Sequence, residues 1–190
     1  MNSAIKFGLI VGMFSSAAVY AADGAGSVQR DVNQQKRIEA GLKSGELSTR
    51  EASHLERQES VVDHMQARAL KDGEVTPAEK ARLAAAQTKV SHDIYHEKHD
   101  AQSGNPTSAS SQRMQADVQR NAIQEARISQ GLKSGSLSEQ EAARLERGQA
   151  HVERKEARAG ADGRVGAVEE HSIQRTENRQ SRRIFRKKHN

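Results

Sequence analysis

The 190-residue chain contains no cysteine and no tryptophan, and only two tyrosines and three phenylalanines. Without cysteine there can be no disulfide bond, no thiolate metal ligand, no cysteine nucleophile and no lipid attached through a thiol. The scarcity of aromatic side chains and an apolar content of 34% predict a thin hydrophobic core. Alanine, glutamate, glutamine, lysine and arginine dominate instead, a composition typical of long solvated helices.

The sequence has one long apolar run, residues 7–19, which follows Lys6 near the N-terminus. A membrane-spanning helix needs about 20 apolar residues, so this run is too short to span comfortably. Small residues precede Ala22, as at a signal-peptidase site. We therefore predict a signal peptide over residues 1–21, cleaved near Ala21-Ala22, and export to the periplasm or beyond with no transmembrane segment left after cleavage.

One turn pattern organises the remaining chain, and its first copy contains Gly45, Ser48 and Glu51. Glycine ends a helix readily because it enters the left-handed region without a Cβ penalty. The hydroxyl of Ser48 can cap the next helix, and Glu51 can reach back to the Ser48 N–H to complete a capping box. The pattern predicts a helix end followed directly by a helix start.

The pattern recurs three times. The second copy adds a proline at the first helical position, where a missing N–H is harmless, and the fourth has Gly166 in place of the hydroxyl cap. Two copies contain Asp-Gly, as EF-hand loops do, but the oxygen ligands of the first half of such a loop are absent, so calcium binding is disfavoured. The turn residues of these three copies are Gly73, Thr76, Pro77 and Glu79; Gly135, Ser138 and Glu141; and Gly163 with Glu169.

The chain repeats itself without a gap at an offset of ninety residues, so that residues 28–100 match residues 118–190. A gapless match of this length indicates a tandem duplication. Each repeat contains two of the turns, which predicts an all-α protein of two tandem three-helix modules. We expect a flexible leader over residues 22–27, a first module over 28–100, a flexible linker over 101–112 and a second module over 113–190.

The end of the second repeat is strongly basic and is a candidate site for an anion or a partner. The first repeat contains twelve Lys/Arg against thirteen Asp/Glu, whereas the second contains sixteen against ten. Such segregation favours a polyanionic envelope component or a protein partner, with nucleic acid less favoured in an exported chain. The alternative is a solvated helix end that complements the helix dipole. The candidate residues are Arg179, Arg182, Arg183, Arg186, Lys187 and Lys188.

His92, His96 and His99 lie four and three residues apart near the end of the first repeat, on one face of a predicted helix. Imidazoles at this spacing can chelate zinc, copper or nickel. The second repeat has arginine at two of the three equivalent positions, so the shared module does not require these ligands. A solvated helix face is the alternative.

Catalysis is disfavoured, because the sequence contains neither a nucleophile-elbow serine nor a glycine-rich phosphate loop. The acidic residues lie along the predicted helices with basic neighbours three and four positions away. This spacing is typical of surface ion pairs. We therefore expect a protein without enzymatic activity.

Three segments of the first repeat carry a family resemblance: residues 41–56 (GLKSGELSTREASHLE), 72–79 (DGEVTPAE) and 91–99 (SHDIYHEKH). Together they resemble a family of small exported proteobacterial helical-repeat proteins, and the resemblance extends to the second repeat. It implies a helical fold and export but no reaction. In general character the chain is also similar to periplasmic helical proteins that sense metals or hold misfolded chains.

These observations predict an exported helical protein that binds or scaffolds and contacts an anionic envelope component or a protein partner through its basic second module. A periplasmic metal-binding protein that uses the histidine cluster is the alternative. The composition also leaves room for a homo-oligomer, since a thin core gains from pairing.

Overall fold

The computed structural model describes the backbone of residues 17–189 and the side chains of residues 24–189. The fold is all-α, as the sequence predicts, and the described residues contain no strand. No helix in this part of the chain is both long enough and apolar enough to span a bilayer. Residues 1–16 of the predicted signal peptide lie outside the described residues. The helices are α1 (Ala17–Ser44), α2 (Thr49–Ala69), α3 (Pro77–Lys98), α4 (Ala109–Ser134), α5 (Glu139–Ala159) and α6 (Ala167–Lys188).

Each pair of consecutive helices within a repeat is joined by one of the glycine turns. At the first turn Gly45 has a φ of 83°, the Ser48 N–H donates to Glu51 Oε2 at 2.8 Å, and the Glu51 N–H donates to Ser48 Oγ at 3.3 Å. The turns at Thr76 and Ser138 have the same reciprocal pair of bonds. At the fourth turn Gly166 offers no hydroxyl, and only the bond from its N–H to Glu169 remains.

The structure differs from the expectation at the leader and at the linker. Residues 22–27 belong to α1, and residues 109–112 form the first turn of α4. The remaining connection is held in place, because the Gly104 N–H donates to the Gly45 carbonyl at 2.8 Å. Both segments contact the body of the protein, the leader through the Ala25 carbonyl and the linker through Gly104.

The two repeats interlock and do not form two separate bundles. Helix α1 packs along α4, and α2 packs along α5. Both pairs are antiparallel: Ser129 Oγ donates to the Ala25 carbonyl at 3.1 Å, and Arg50 donates to the Asp162 carbonyl at 3.3 Å. Helix α3 lies against α1 and α2, and α6 lies against α4 and α5. The four central helices therefore come equally from the two repeats.

The apolar core consists of two clusters, and each contains side chains from both repeats. The first cluster places Met114 and Val118 of α4 among the apolar side chains of α1, α2 and α3. The second places Val28 and Leu70 among the side chains of α4 and α5. Each repeat thus completes the hydrophobic cluster of the other.

The interior also contains many acidic side chains. Ten carboxyl groups are no more than 1% exposed, and no lysine, arginine or histidine among the described residues is buried. We call this set the acidic layer; it comprises Asp31, Glu56, Glu59, Asp63, Asp117, Glu125, Glu146, Glu153, Glu156 and Glu177.

The interlocked packing predicts that Met114→Ala will destabilise the whole molecule. The Met114 side chain is fully buried in the first cluster, and truncation of a buried methionine to alanine costs about 2–5 kcal/mol. We expect one cooperative unfolding transition in urea, shifted to lower concentration. Met65→Ala is the control, because Met65 is only partly buried against the same cluster. Equal effects of the two substitutions, or two separate transitions, would contradict the interlocked packing.

Candidate functional site

The exposed side of α5 carries a stripe of basic residues. Arg144, Arg147, His151, Arg154 and Arg158 are all exposed and follow one another at steps of three and four residues. This spacing places them on one face of the helix. Because every other side of α5 packs against α2, α4 or α6, the stripe is the part of the helix that faces solvent.

A second row of arginines lies on α6, which packs beside α5. Arg175, Arg179, Arg182, Arg183 and Arg186 are exposed there. Together the two rows form what we call the arginine face, ten residues of α5 and α6: Arg144, Arg147, His151, Arg154, Arg158, Arg175, Arg179, Arg182, Arg183 and Arg186.

A groove of about 230 Å³ runs between the two rows of the arginine face. Arg144, Arg147, Arg179 and Arg183 line it, together with His151. Helix α6 approaches closely here since residue 148 is glycine, and a β-carbon at this position would overlap with the amide of Gln180. That amide donates to the Leu145 carbonyl at 2.7 Å, which fixes the floor of the groove.

The arginine face carries positive charge that neighbouring carboxylates do not neutralise. Desolvation by the neighbouring side chains lowers the pKa of His151, although this residue is exposed, and the nearby Arg154, Lys155 and Arg179 lower it further. Partial burial lowers the pKa of Lys155 as well, followed by the charges of Arg175 and Arg179. Within the described part of the chain, no arginine of the face forms an ion pair with a carboxylate. These guanidinium groups therefore have free donors directed to solvent.

The structure divides the predicted basic cluster at the end of the chain. Arg179, Arg182, Arg183 and Arg186 belong to the arginine face. Lys187 Nζ lies 3.3 Å from Glu141 Oε1 and Lys188 Nζ lies 3.1 Å from Gln130 Oε1, so these two lysines tie α6 to neighbouring elements.

The sequence analysis missed the α5 half of the arginine face. The signal was present, because residues 144–158 have a cation or histidine at every step of three or four. The α6 row is specific to the second repeat, whereas the positions on α2 that are equivalent to the α5 stripe still include Arg57 and Arg68. The positions equivalent to four of the α6 arginines, ninety residues earlier, are Ala85, Lys89, His92 and Asp93.

The three candidate metal-binding histidines do not converge on one point. His92 Nε2 and His96 Nε2 are 2.9 Å apart. His99 instead directs Nδ1 to the Tyr95 carbonyl at 2.7 Å, and its ring stacks on the Tyr95 ring at a centroid distance of 4.2 Å. The arrangement offers two imidazoles to a metal ion, with His99 engaged elsewhere.

The acidic layer overturns the prediction that the carboxylates form surface ion pairs. Desolvation by burial raises the pKa of Asp31 to about 7, of Glu56 to about 7 and of Asp117 to about 9. Glu177 is raised to about 7 by the same cause, although Arg120 Nη1 lies 3.0 Å from its Oε2. The pKa values of the other six carboxyl groups are raised well above their ordinary values, first by burial and then by neighbouring carboxylates.

A signal for the acidic layer was present in the sequence of α2. Leu55 and Val62, two apolar residues seven positions apart on one side of α2, are each followed directly by an acidic residue, Glu56 and Asp63. Glu59 lies between them on the same side of the helix. The interior face of α2 thus contains both kinds of residue, and only the packing of α5 against it decides that the acids are buried.

Comparison with known proteins assigns the chain to no class: no family model, no curated protein and no solved structure matches it. The function therefore has to be inferred from the site itself.

The acidic layer predicts that the protein loses stability as the pH rises. The folded-state pKa values of Asp31 and Glu56, about 7, lie above their ordinary values of 3.8 and 4.5. The stability that these two groups contribute is fully present when the pH is below those ordinary pKa values, and it is lost as the pH rises through about 7. For Glu56 alone the loss is on the order of 3 kcal/mol, since one pKa unit corresponds to ~1.4 kcal/mol.

Urea unfolding in buffers that contain EDTA, at intervals from pH 5 to pH 8, measures this loss. The range begins at pH 5 because the pKa values of Asp93 and Glu141 are lowered, so the contribution of these two groups is lost only at more acidic pH. Below about pH 6.5 the lowered pKa values of His64 and His151 act in the opposite direction, so the decisive interval is pH 6.5 to pH 8. A free energy of unfolding that is constant or rises over that interval would show that the acidic layer does not titrate as its burial requires.

Proposed function

We propose that this protein is an exported helical binding protein, without enzymatic activity, whose arginine face binds a phosphate-bearing component of the cell envelope. The observation that carries the proposal is the groove between α5 and α6, lined by four arginines that have no carboxylate partner among the described residues. The proposal of export rests on the signal peptide predicted over residues 1–21. The proposal of an anionic ligand rests on the basic second module predicted from the sequence.

The chemistry of the arginine face suits phosphate. A guanidinium group donates two parallel hydrogen bonds to a phosphate or carboxylate, and it is less strongly hydrated than an ammonium group. The groove contains arginine and no lysine. Its single histidine, His151, belongs to the α5 row and becomes protonated more readily when an anion is bound beside it.

The extent of the arginine face favours a surface or a polymer over a small free anion. Arg144 and Arg158 lie fourteen residues apart on α5, which corresponds to about 21 Å along the helix. The α6 row runs beside this stripe and doubles its width. Many weak contacts with a repeating array of phosphates add to a useful affinity, although each exposed charge contributes little by itself.

The acidic layer strengthens the basic character of the surface. The formal charge of +5 counts all 25 acidic residues as ionised. Ten of them are buried with raised pKa values, so they add less negative charge to the exterior than the formula assumes. The exterior is consequently more cationic than the composition indicates, and this favours association with anionic surfaces.

The second candidate function is metal binding at His92 and His96, favoured by the 2.9 Å separation of their Nε2 atoms. Two imidazoles one helical turn apart can chelate copper, nickel or zinc.

The arginine face predicts a large difference between matched charge deletions in the two repeats. Arg147→Gln with Arg179→Gln should weaken binding to anionic phospholipid vesicles or lipopolysaccharide by about 30-fold, because two basic residues near a membrane surface contribute ~2 kcal/mol. Affinity of the wild type should fall with salt concentration. Vesicle co-sedimentation and calorimetry with each ligand separate the two phosphate sources, and inorganic phosphate tests for a small-ion site.

Arg57→Gln with Lys89→Gln is the matched control, since these positions are equivalent to Arg147 and Arg179 and lie ninety residues earlier. The control should bind nearly as well as the wild type. NMR titration should also show a rise in the pKa of His151 when the anion is bound. Equal weakening by both pairs, or binding that does not change with salt, would rule out a specific arginine face.

The histidine pair predicts that His96→Ala abolishes binding of Cu²⁺ or Zn²⁺ in isothermal titration, because a single remaining imidazole on an exposed helix binds weakly. His99→Ala is the control and should retain the binding, since His99 Nδ1 is engaged by the Tyr95 carbonyl. Heat signals that are the same for all three proteins would exclude the second candidate function.

A further inference from the structure

The centre of the molecule contains two related polar clusters. Each central residue of one repeat has a counterpart ninety positions further on, and the antiparallel pairing of α1 with α4 and of α2 with α5 places the counterparts symmetrically. We call them cluster A and cluster B. Cluster A consists of Asp31, Asp63, Glu125 and Glu146, and the equivalent residues of cluster B are Asn121, Glu153, Gln35 and Glu56.

Cluster B is held together by amides. Gln35 Nε2 donates to Glu56 Oε2 and to Glu153 Oε1, both at 3.1 Å. Asn121 Nδ2 donates to Glu56 Oε2 at 3.2 Å and to Glu156 Oε2 at 2.6 Å. Four N–H···O bonds from two amides therefore connect three buried carboxyl groups, each of which would otherwise be costly to bury.

Cluster A has carboxylates where cluster B has amides. Asp31 is equivalent to Asn121, and Glu125 is equivalent to Gln35. Both substitutions remove N–H donors, and all four members of cluster A are no more than 1% exposed.

Almost no protein donor compensates for this loss. Neither oxygen of Asp63, Glu125 or Glu146 accepts a hydrogen bond. Gln66, which is equivalent to Glu156, faces Asp31 and Glu146, but its Nε2 reaches hydrogen-bond geometry with neither. One oxygen of Asp31 accepts from Gln87 Nε2 at 2.5 Å, and the other accepts from no group.

The oxygens of cluster A are also close together. One carboxylate oxygen from each of Asp31, Asp63 and Glu125 lies within 4.8 Å of the other two. These three residues come from α1, α2 and α4, and Glu146 of α5 adjoins Glu125. Three of the four central helices thus contribute a carboxylate to one buried point, and the carboxylate of the fourth, Glu146, lies near enough to interact with Glu125.

We propose that cluster A binds a hard divalent cation, which takes the place that the amides of Gln35 and Asn121 occupy in cluster B. The donor set contains oxygen alone, and oxygen donors favour Mg²⁺, Mn²⁺ or Ca²⁺ over zinc or copper. Oxygens bound to one Ca²⁺ at about 2.3–2.6 Å are at most about 4.6–5.2 Å apart. The oxygens of Asp31, Asp63 and Glu125 lie no more than 4.8 Å apart, which is compatible with this range. The site is independent of the arginine face and of the histidine pair.

Cluster B supplies the design of the test. The variant Asp31→Asn with Glu125→Gln copies cluster B into cluster A and provides amide donors. Wild type and variant are refolded with Mn²⁺, dialysed at pH 7.5 and analysed for bound metal. We expect one Mn²⁺ retained per wild-type chain and none in the variant. Saturating Mn²⁺ should raise the midpoint of thermal unfolding of the wild type by about 5–10 °C.

With saturating Mn²⁺ the wild type should be the more stable of the two proteins, and in EDTA this order should reverse. The variant should unfold at a higher temperature than the wild type, because amides satisfy the carboxylates that remain. This comparison also shows that the variant folds, so a loss of metal cannot be attributed to misfolding.

A second acidic group provides the control for adventitious binding. Oxygens of Glu51, Glu97 and Asp100 also lie within 4.8 Å of one another, but Asp100 is exposed and Glu97 is partly exposed. Glu97→Gln with Asp100→Asn should retain the Mn²⁺. The proposal is overturned if the refolded wild type retains no Mn²⁺, if the Asp31→Asn and Glu125→Gln variant retains as much as the wild type, or if the control loses it.

Discussion

The cost of burying ten carboxyl groups is the constraint on which the rest of this structure depends. An ionised carboxylate in an apolar interior is strongly disfavoured unless it is hydrogen-bonded, paired or neutralised. Here nine of the ten acids lie on the four central helices α1, α2, α4 and α5, while the apolar side chains form two clusters. The two repeats are therefore held together by hydrophobic contacts whose strength has to exceed a penalty that changes with pH. The stability of the interface between the two repeats therefore depends on pH.

The same burial shapes the exterior. Because much of the acidic content lies inside, the solvent-facing sides of α5 and α6 carry arginines with few carboxylates beside them. Gly148 allows α6 to lie close enough to α5 for the two rows to form one groove. The acidic interior and the basic surface are thus two consequences of one distribution of charge between the inside and the outside of the same helices.

The two repeats differ at more than half of their aligned positions, and some of these differences carry the chemistry. The turns and the apolar positions of the two repeats correspond closely. In contrast, the residues equivalent to Asp31 and Glu125 in the other repeat are the amides Asn121 and Gln35. The residues equivalent to the arginines of α6 are alanine, lysine, histidine and aspartate. The two repeats share one scaffold but differ in one surface and in one buried cluster.

What the sequence determined by itself was local. Helix starts at Ser48, Thr76 and Ser138 and helix ends at the glycines follow from capping and from left-handed geometry, which depend on neighbours within four residues. The all-α class follows from these local signals, and the repeat follows from the match between residues 28–100 and 118–190. The burial of Glu56 and Asp63, the groove between α5 and α6, and the meeting of Asp31 with Glu125 were decided only by the tertiary structure. These features arise because helices from different repeats pack against one another, and a periodic pattern within one helix does not specify which partner covers its face.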